Sequence, residues 1–457
     1  MNLINDFLTR CRQDRKRIAC IGDSMIDEYH EVSVNRISPE FPMPIMHSFS
    51  ENCPVRRPGG VANVAYQYNY FNIESFLITF LDDKSNNLFW GYDLNLDYSE
   101  YVSGSQCPVK KRFLDNGIQV KRWDVEKKNF GLSDEKLDEA QNNVLDNISF
   151  DCDVVIFSDY DKGFFAGSKS HWVSMFYNAI QIVDPKNGPV EDWFGCNIFK
   201  PNEKEAFLLS GYNDWKQQCL FFVDALECDS VVITRGGDGV VGYVRENNEY
   251  FNFSSKKQVK IESVVGAGDC FAAFFSAAIA HDFSALEAAE IGFSAGSIYV
   301  QNNMNRPIIP AELSEDGIVE PEDLSERDFK LAFTNGVFDV LHSGHIQTLK
   351  FAADKAKKLV VALNSDASVK RLKGEDRPIK PLSERMAIVS SLEMVDFVIS
   401  FDEDTPLEVI KKCNPNVLVK GGDYDIEKII GADIVKEVYQ APLVEGMSTT
   451  ELINKFN

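Results

Sequence analysis

The chain has 457 residues, 44% of them hydrophobic and 26% charged, proportions of a globular protein with apolar side chains enough for two or three domains. Its formal net charge of −23 argues against nucleic acid as a partner, because that binding draws on clustered Lys and Arg. Ten cysteines without a C-x-x-C pair argue against a zinc site and a disulfide framework, and fit a reducing compartment. The charged start MNLINDFLTRCRQDRKR lacks the apolar stretch of a secretory signal. No apolar run approaches the ~18 residues of a membrane span. A cytoplasmic protein is expected.

In chain order, the apolar run Ile18 to Ile21 ends in Gly22-Asp23 and reads as a buried strand leading into GDSMIDEY. RISPEFPMPI, Arg36 to Ile45, has too much proline for a helix and is expected as an extended edge or lid. In RPGGVANVAYQ, Gly59-Gly60 open a helix near Val61. KKRFLDNGIQVKRWD predicts a hairpin turning at Asp115-Asn116-Gly117. A helix is predicted over Leu132 to Asn147, and strands in DVVIFSDY, QIVDPK, CNIFKPN and SVVITRGGDG, with helical patterns between. Such alternation marks a parallel sheet with helices on both faces. Its ligands belong at the turns that end the strands.

ESVVGAGDCFAAFFSAAIAH, Glu262 to His281, places Gly266-Ala267-Gly268 before Asp269 at the start of a small, apolar helix. Glycines let backbone N–H groups curl into an anion nest, and the helix dipole reinforces it. Asp269 then stands where it can take a proton from a hydroxyl attacking a γ-phosphate. Taken alone, the motif reads more readily as turn glycines and a helix cap. Compatible parts upstream, in order, favour the catalytic reading.

Asn302 to Lys330 is polar, acidic and proline-bearing and reads as a linker, set at 314–330 between domains 1–313 and 331–457. Beyond it, FTNGVFDVLHSGH runs from a buried strand into a tight turn. His342 and His345, three apart at a helix start, face one side, and Gly344 lets a phosphate come close to the backbone. Two unrelated surface histidines are the alternative, which the order G-x-F-D-x-x-H-x-G-H disfavours. No other close histidine pair exists among the six, so no metal cluster is visible. Lys370, Arg371, Lys373, Arg377 and Lys380 form a cationic patch after a strand end, either a solvated loop or a phosphate clamp. Further strands are expected in LVVALNSD, DFVISF and NVLVKGGDY, with a helix in SERMAIVSSLEMV.

The first half resembles the ribokinase-like (PfkB-type) sugar kinases, and FTNGVFDVLHSGH resembles the signature of the cytidylyltransferase-like nucleotidyltransferases. Together RISPEFPMPI, RPGGVANVA, SDYDKG, VDPK, FTNGVFDVLHSGH, LNSDASVKRLKGEDRP, LVKGGDY and MSTT resemble the bifunctional heptose-7-phosphate kinase/heptose-1-phosphate adenylyltransferase family. The resemblance implies an α/β fold: a ribokinase-like doubly wound sheet with a small β lid, then a smaller Rossmann-like nucleotidyltransferase domain. It implies sugar contacts from Asp23, Asp27, Gly59, Gly60 and Asn63, with Asp184 and Lys186 of VDPK also on substrate. Asn202 and Glu205 would order Mg²⁺ and its waters, Gly266, Ala267 and Gly268 would form the anion hole, and Asp269 would be the base. In the second domain, His342, His345 and Lys373 would act on the phosphates of ATP, held further by Gly336, Phe338, Ser448 and Thr449. A homodimer handling small sugar phosphates is implied as well.

There are departures from the families. Ser263-Val264-Val265 replaces the usual Asp-x-Thr, no glycine stands near Leu81-Asp82-Asp83, and the linker is short. Leu443 stands where cytidylyl-transferring relatives carry arginine, which favours ATP over CTP. The alternatives are a kinase fused to a cytidylyltransferase for another sugar or polyol phosphate, and a degenerate kinase half serving as a dimerisation scaffold. Intact Asn202, Glu205 and Asp269 argue against the scaffold.

Overall fold

The computed structural model describes residues 2–48, 53–254, 260–301, 305–421 and 429–442. The chain divides into two compact units, Met1–Ile308 and Ile309–Asn457.

The first unit is built on an eight-stranded sheet. Six strands run parallel, in the order Ile73–Ile78, Lys16–Gly22, Val154–Ser158, Ile180–Asp184, Ile198–Phe199 and Ser230–Thr234. They are short, and their central residues are buried, as expected where helices cover both faces. The helix Ala267–Ala280 is buried over nearly its whole circumference, which explains why its sequence is Ala, Phe and Ser without charge beyond Asp269. An antiparallel pair, Val240–Val244 and Glu249–Phe253, closes one edge. The sequence reading stopped at Gly239 and did not find this pair.

A second sheet forms the lid. Strand Ser24–Ile37 pairs with Pro44–Ser48 and Val55–Gly60 antiparallel and with Val109–Asp115 parallel. RISPEFPMPI is thus the bend and edge of this lid. The hairpin Val109–Asp115/Ile118–Val125 turns at Asn116 and Gly117, with φ of 50° and 80°. Two left-handed residues match the right-handed twist of the strands they join. Asp82, where no family glycine stands, caps helix Asp83–Trp90 by accepting from the amides of Lys84 and Ser85.

The 314–330 stretch, expected as a linker, is packed structure. Ile318 bridges to Val398, and Pro321–Leu324 forms a 3₁₀ turn against helix Leu407–Cys413. Asn305, inside the polar run from Asn302, lies instead buried in the first unit. Polar composition misled here, because these polar groups have partners remote in sequence.

The second unit holds a five-stranded parallel sheet in the order Phe397–Phe401, Lys358–Asn364, Leu331–Gly336, Val417–Gly421 and Glu437–Ala441. The last strand was not foreseen. Eight of the ten cysteines, all of them among the described residues, are buried; Cys53, just ahead of lid strand Val55–Gly60, is exposed. No helix among the described residues is long and apolar enough to cross a membrane.

One buried carboxylate sets the loop beside the first unit's cavity. Asp23 is fully buried after the first strand, and its oxygens accept the amides of Tyr160 (2.8 Å), Lys162 (3.0 Å) and Phe164 (3.0 Å). Burial and the nearby Asp159 push its carboxyl up to about 6 against those bonds. Asp23→Ala leaves three amides without their acceptor and should lower stability by about 3 kcal/mol or more. Denaturant unfolding of the full chain measures it, and a loss under about 1 kcal/mol would mean that the loop holds without this anchor.

Candidate active sites

In the first unit, strand ends, lid and helix start enclose a cavity of about 220 Å³. Of the kinase residues expected from sequence, Asp27, Gly60, Asp184, Lys186, Asn202, Glu205, Gly266, Gly268 and Asp269 line it, whereas Asp23, Gly59, Asn63 and Ala267 do not. Asp23 is the clearest correction. It lies off the cavity wall, and three loop amides bond its oxygens, so it positions backbone. Asn63, fully buried, donates through Nδ2 to Asp269 Oδ2 at 2.9 Å and backs the site from behind. Gly59 leaves room for Asp27, since a Cβ there would stand 2.6 Å from Asp27 Oδ2.

Asp27 is 3% exposed and tightly held. Arg112 Nε and Nη2 donate to Oδ1 at 2.9 and 2.6 Å, and Asn305 Nδ2 donates to Oδ2 at 2.7 Å. Asp184 pairs with Lys200 at 2.9 Å, and burial raises its carboxyl to about 6. Asn202 and Glu205 form a capping box on helix Glu203–Ser210, which satisfies two donors at the helix start reciprocally. Glu205 Oε1 also accepts from Lys186 Nζ at 2.8 Å. The N-x-x-E string therefore has a local structural task alongside its place on the cavity wall.

At the base of the cavity, Gly266 adopts φ +76° before helix Ala267–Ala280. A Cβ on it would meet Asn63 Nδ2 and Tyr299 Oη, each at 2.7 Å. The first intrahelical bond runs from Cys270 N–H to Gly266 O, so the amides of Gly268 and Asp269 precede the ladder and are free of it. Ala267 N–H turns onto Val264 O at 3.3 Å. Around Gly268 a Cβ would find nothing within 4 Å. Burial lifts the Asp269 carboxyl above its ordinary range, against hydrogen bonds from Tyr160 and Asn63 and the charge of Lys110.

Tyr160, Lys110, Arg112 and Asn305 were missed as site residues. Tyr160 sits in the quoted string SDYDKG and the two basic residues in the quoted hairpin, yet nothing local says that a loop and a lid strand converge on Asp269.

In the second unit, Leu331–Gly336 ends at the turn carrying Phe338, whose φ is 50°. His342 caps helix Ser343–Ala353 at its N-terminal end. The rings of His342 and His345 stack with centroids 3.8 Å apart, and Phe338 packs on His345 at 5.1 Å. Both Nδ1 atoms are buried without a protein partner. Desolvation lowers both rings, His345 to about 4 with His342 adding repulsion. Two neutral imidazoles thus stand side by side at a helix N-terminus. Lys420, at the end of Val417–Gly421, donates to Asn335 Oδ1 at 2.8 Å, and burial brings it down to about 8.

The cationic patch is not an open clamp. Arg371 pairs with Asp404, Arg377 with Asp339 and Lys380 with Glu384. Lys370 and Lys373 lie on helix Asp366–Lys373, not in a loop. Lys373 is exposed and makes no contact with the histidines among the described residues. Asp339, the D of G-x-F-D, is buried and accepts from Arg377 Nε and the amides of Ile379 and Lys380. Arg385 is fully buried and donates to the carbonyls of Val337, Asn364 and Lys380. Ser448, Thr449 and Leu443 lie outside the described residues.

The fold and these sites define a carbohydrate kinase joined to a nucleotidyltransferase. The profile of the pfkB family carbohydrate kinases matches residues 165–311, and the cytidylyltransferase-like profile matches 333–455. By fold, phosphofructokinase-2 from Escherichia coli aligns over 65% of this chain and 96% of its own at a TM-score of 0.52 and 17% identity. Ribokinase from Thermotoga maritima aligns over 65% and 98% at 0.51 and 22%. By sequence, the bifunctional protein HldE of Nitratiruptor is 33% identical over 96% of this chain and 99% of its own, and that of Hyphomonas neptunium 34% over 96% and 96%. The chain belongs to the HldE family of bifunctional proteins.

Two outcomes are expected from this geometry. Gly268→Ala should fold normally yet place a methyl where phosphate approaches, lowering sugar phosphorylation about tenfold or more, whereas Gly266→Ala should also lower the thermal midpoint because of its φ and contacts. Equal midpoints for the two would contradict the packing. His345 should titrate near 4, well below its ordinary 6.5, since burial disfavours the charged ring; NMR titration of its ring protons reads this directly, and a midpoint above 6 would rule it out.

Proposed function

We propose that the first unit transfers the γ-phosphoryl of ATP to O1 of heptose 7-phosphate, and that the second joins heptose 1-phosphate to the AMP part of ATP with release of pyrophosphate. The chain is a bifunctional kinase and nucleotidyltransferase of ADP-heptose synthesis; what is proposed is which residues do each step. The observation that carries the kinase assignment is Asp269, buried at a helix start beside free amides and facing the cavity.

The O1 hydroxyl gives its proton to Asp269 as its oxygen attacks the γ-phosphorus, and ADP leaves. Burial raises the carboxyl's proton affinity, which suits a base. The amides of Gly268 and Asp269 with the helix dipole meet the charge that spreads over the transferred group. Asp27, held by Arg112 and Asn305, offers fixed oxygens for sugar hydroxyls.

The residues fit Mg²⁺ held through water. Both Glu205 oxygens already have protein partners, and the described residues contain no cluster of three His, Cys, Asp or Glu side chains able to cage an ion. Mg²⁺ keeps several waters and favours phosphate oxygens in such sites. When bound it neutralises phosphate charge.

For the second reaction, a phosphate oxygen of the sugar attacks the α-phosphorus, and the protein's work is alignment and charge stabilisation. Neutral His342 and His345 donate to oxygens that gain charge as pyrophosphate departs. Supporting a homodimer, the lid exposes Ile37, Ile118 and Trp123 at 68%, 71% and 57%, apolar surface of a kind that marks contact sites.

The test is a double dissociation in the full chain. Asp269→Asn should cut sugar phosphorylation ~10²–10⁴-fold and leave pyrophosphate release near wild type. His345→Ala should do the reverse, by ~10²–10³-fold. A single variant that damages both activities equally would refute the assignment.

A further inference from the structure

Each oxygen of the Asp269 carboxylate has a protein donor. Asn63 Nδ2 donates to Oδ2, and the Tyr160 hydroxyl donates to Oδ1. The two donors differ in freedom. Asn63 is fully buried in helix Val61–Tyr66 and accepts from Gln67 Nε2 at 3.1 Å. Tyr160 lies on the loop after strand Val154–Ser158 and lines the cavity. Its backbone amide is anchored at Asp23, and among the described residues its hydroxyl bonds only Asp269, whereas Asn63 also bonds Gln67 and Tyr299. A hydroxyl that is to lose its proton to Asp269 must approach one of its oxygens, and the Tyr160 phenol stands at Oδ1, held there by that single bond.

We propose that Tyr160 guards the base: its hydroxyl occupies Oδ1 until the sugar hydroxyl displaces it, and so restrains transfer of the γ-phosphoryl to water. The proposal rests on the reading of Asp269 as the base. The restrained reaction is ordinary hydrolysis. A water oxygen bonds to the γ-phosphorus, the bond to the ADP oxygen breaks with its electron pair leaving on ADP, and the water proton passes to Asp269 and then to solvent. Tyr160 at Oδ1 occupies the place from which that water would approach the carboxylate.

The surroundings agree with a neutral, displaceable phenol. Asp184 and Glu205 face Tyr160 with Asp269, and burial together with these carboxylates raises its proton affinity well above ordinary. Lys110 on the lid strand stands 5.6 Å from the ring centroid. The charges that act on Asp269 include Lys110, Asp27 and Asp184, and its hydrogen bonds from Tyr160 and Asn63 favour the ionised form.

The test is Tyr160→Phe in the full chain, with nucleotidyl transfer and the thermal midpoint confirming that it folds. ATP hydrolysis to ADP and phosphate without sugar should rise about tenfold, within the ~10²–10⁴-fold that a base can supply. The pH profiles separate a guard from a structural tyrosine. Loss of a hydrogen bond to the carboxylate raises the free enzyme's pKa, so the acid limb of kcat/KM should move to higher pH. The limb of kcat, which reports the substrate complex, should stay, because the sugar has already displaced the phenol. Unchanged hydrolysis, or limbs that move together or not at all, would overturn the guard. Asp269→Asn separates the two ideas. If it spares sugar phosphorylation the base assignment itself fails; if it abolishes phosphorylation while Tyr160→Phe behaves as wild type, only the guard fails.

Discussion

The kinase unit depends on a carboxylate that lies off its cavity wall. Asp23 leaves the first strand fully buried and gathers the amides of Tyr160, Lys162 and Phe164, bringing the loop of the neighbouring strand over the cavity. Unpaired buried amides are costly, and a buried carboxylate without donors is more so; each settles the other. The second unit uses the same device. Asp339, after its own first strand, gathers Arg377 and the amides of Ile379 and Lys380. In both units a chain segment remote in sequence is fixed by one acid that follows the first strand; in the kinase unit that segment carries Tyr160 to the cavity wall.

A chain of net charge −23 that handles polyphosphates must separate its local fields from its global one. The kinase cavity does so by pairing: Arg112 with Asp27, Lys200 with Asp184, Lys186 with Glu205. These pairs hold geometry more than they supply net positive charge, leaving anion binding to backbone amides and Lys110. The nucleotidyltransferase unit holds two imidazoles whose pKa burial lowers and a lysine whose partner is an amide oxygen. Paired and lowered charges of this kind suit substrates and products that are all anions and must also leave.

Much of the fold was legible because it rests on local rules. Left-handed turn residues at Asn116-Gly117, Gly-rich turns before Val61 and Ala267, and short apolar runs dictated strands and helices that the structure contains. Legibility ended where meaning depends on a distant partner. Arg371 and Arg377 looked like a clamp because Asp404 and Asp339 lie more than 30 residues from them, although the Lys380–Glu384 pair, four residues apart, follows a local spacing. Asp23 was expected at the sugar from the family resemblance alone, and its three amide donors, more than 130 residues away, could not be read from the sequence. Tyr160 and Asn305 were overlooked for the same reason, one in a loop and one in a stretch whose polarity resembled a linker.

Burial of the cysteines has a practical side. Buried thiols are held well above their ordinary range, Cys20 and Cys107 among them, so the nucleophilic thiolate is scarce there. Cys53 is the exposed one and lies beside the lid strand Val55–Gly60. A maleimide dye or spin label added to the unmodified protein therefore reacts first at one address, next to the lid sheet. The surroundings of that lid can then be followed by fluorescence or spin resonance in the native sequence, with no cysteine removed and none introduced.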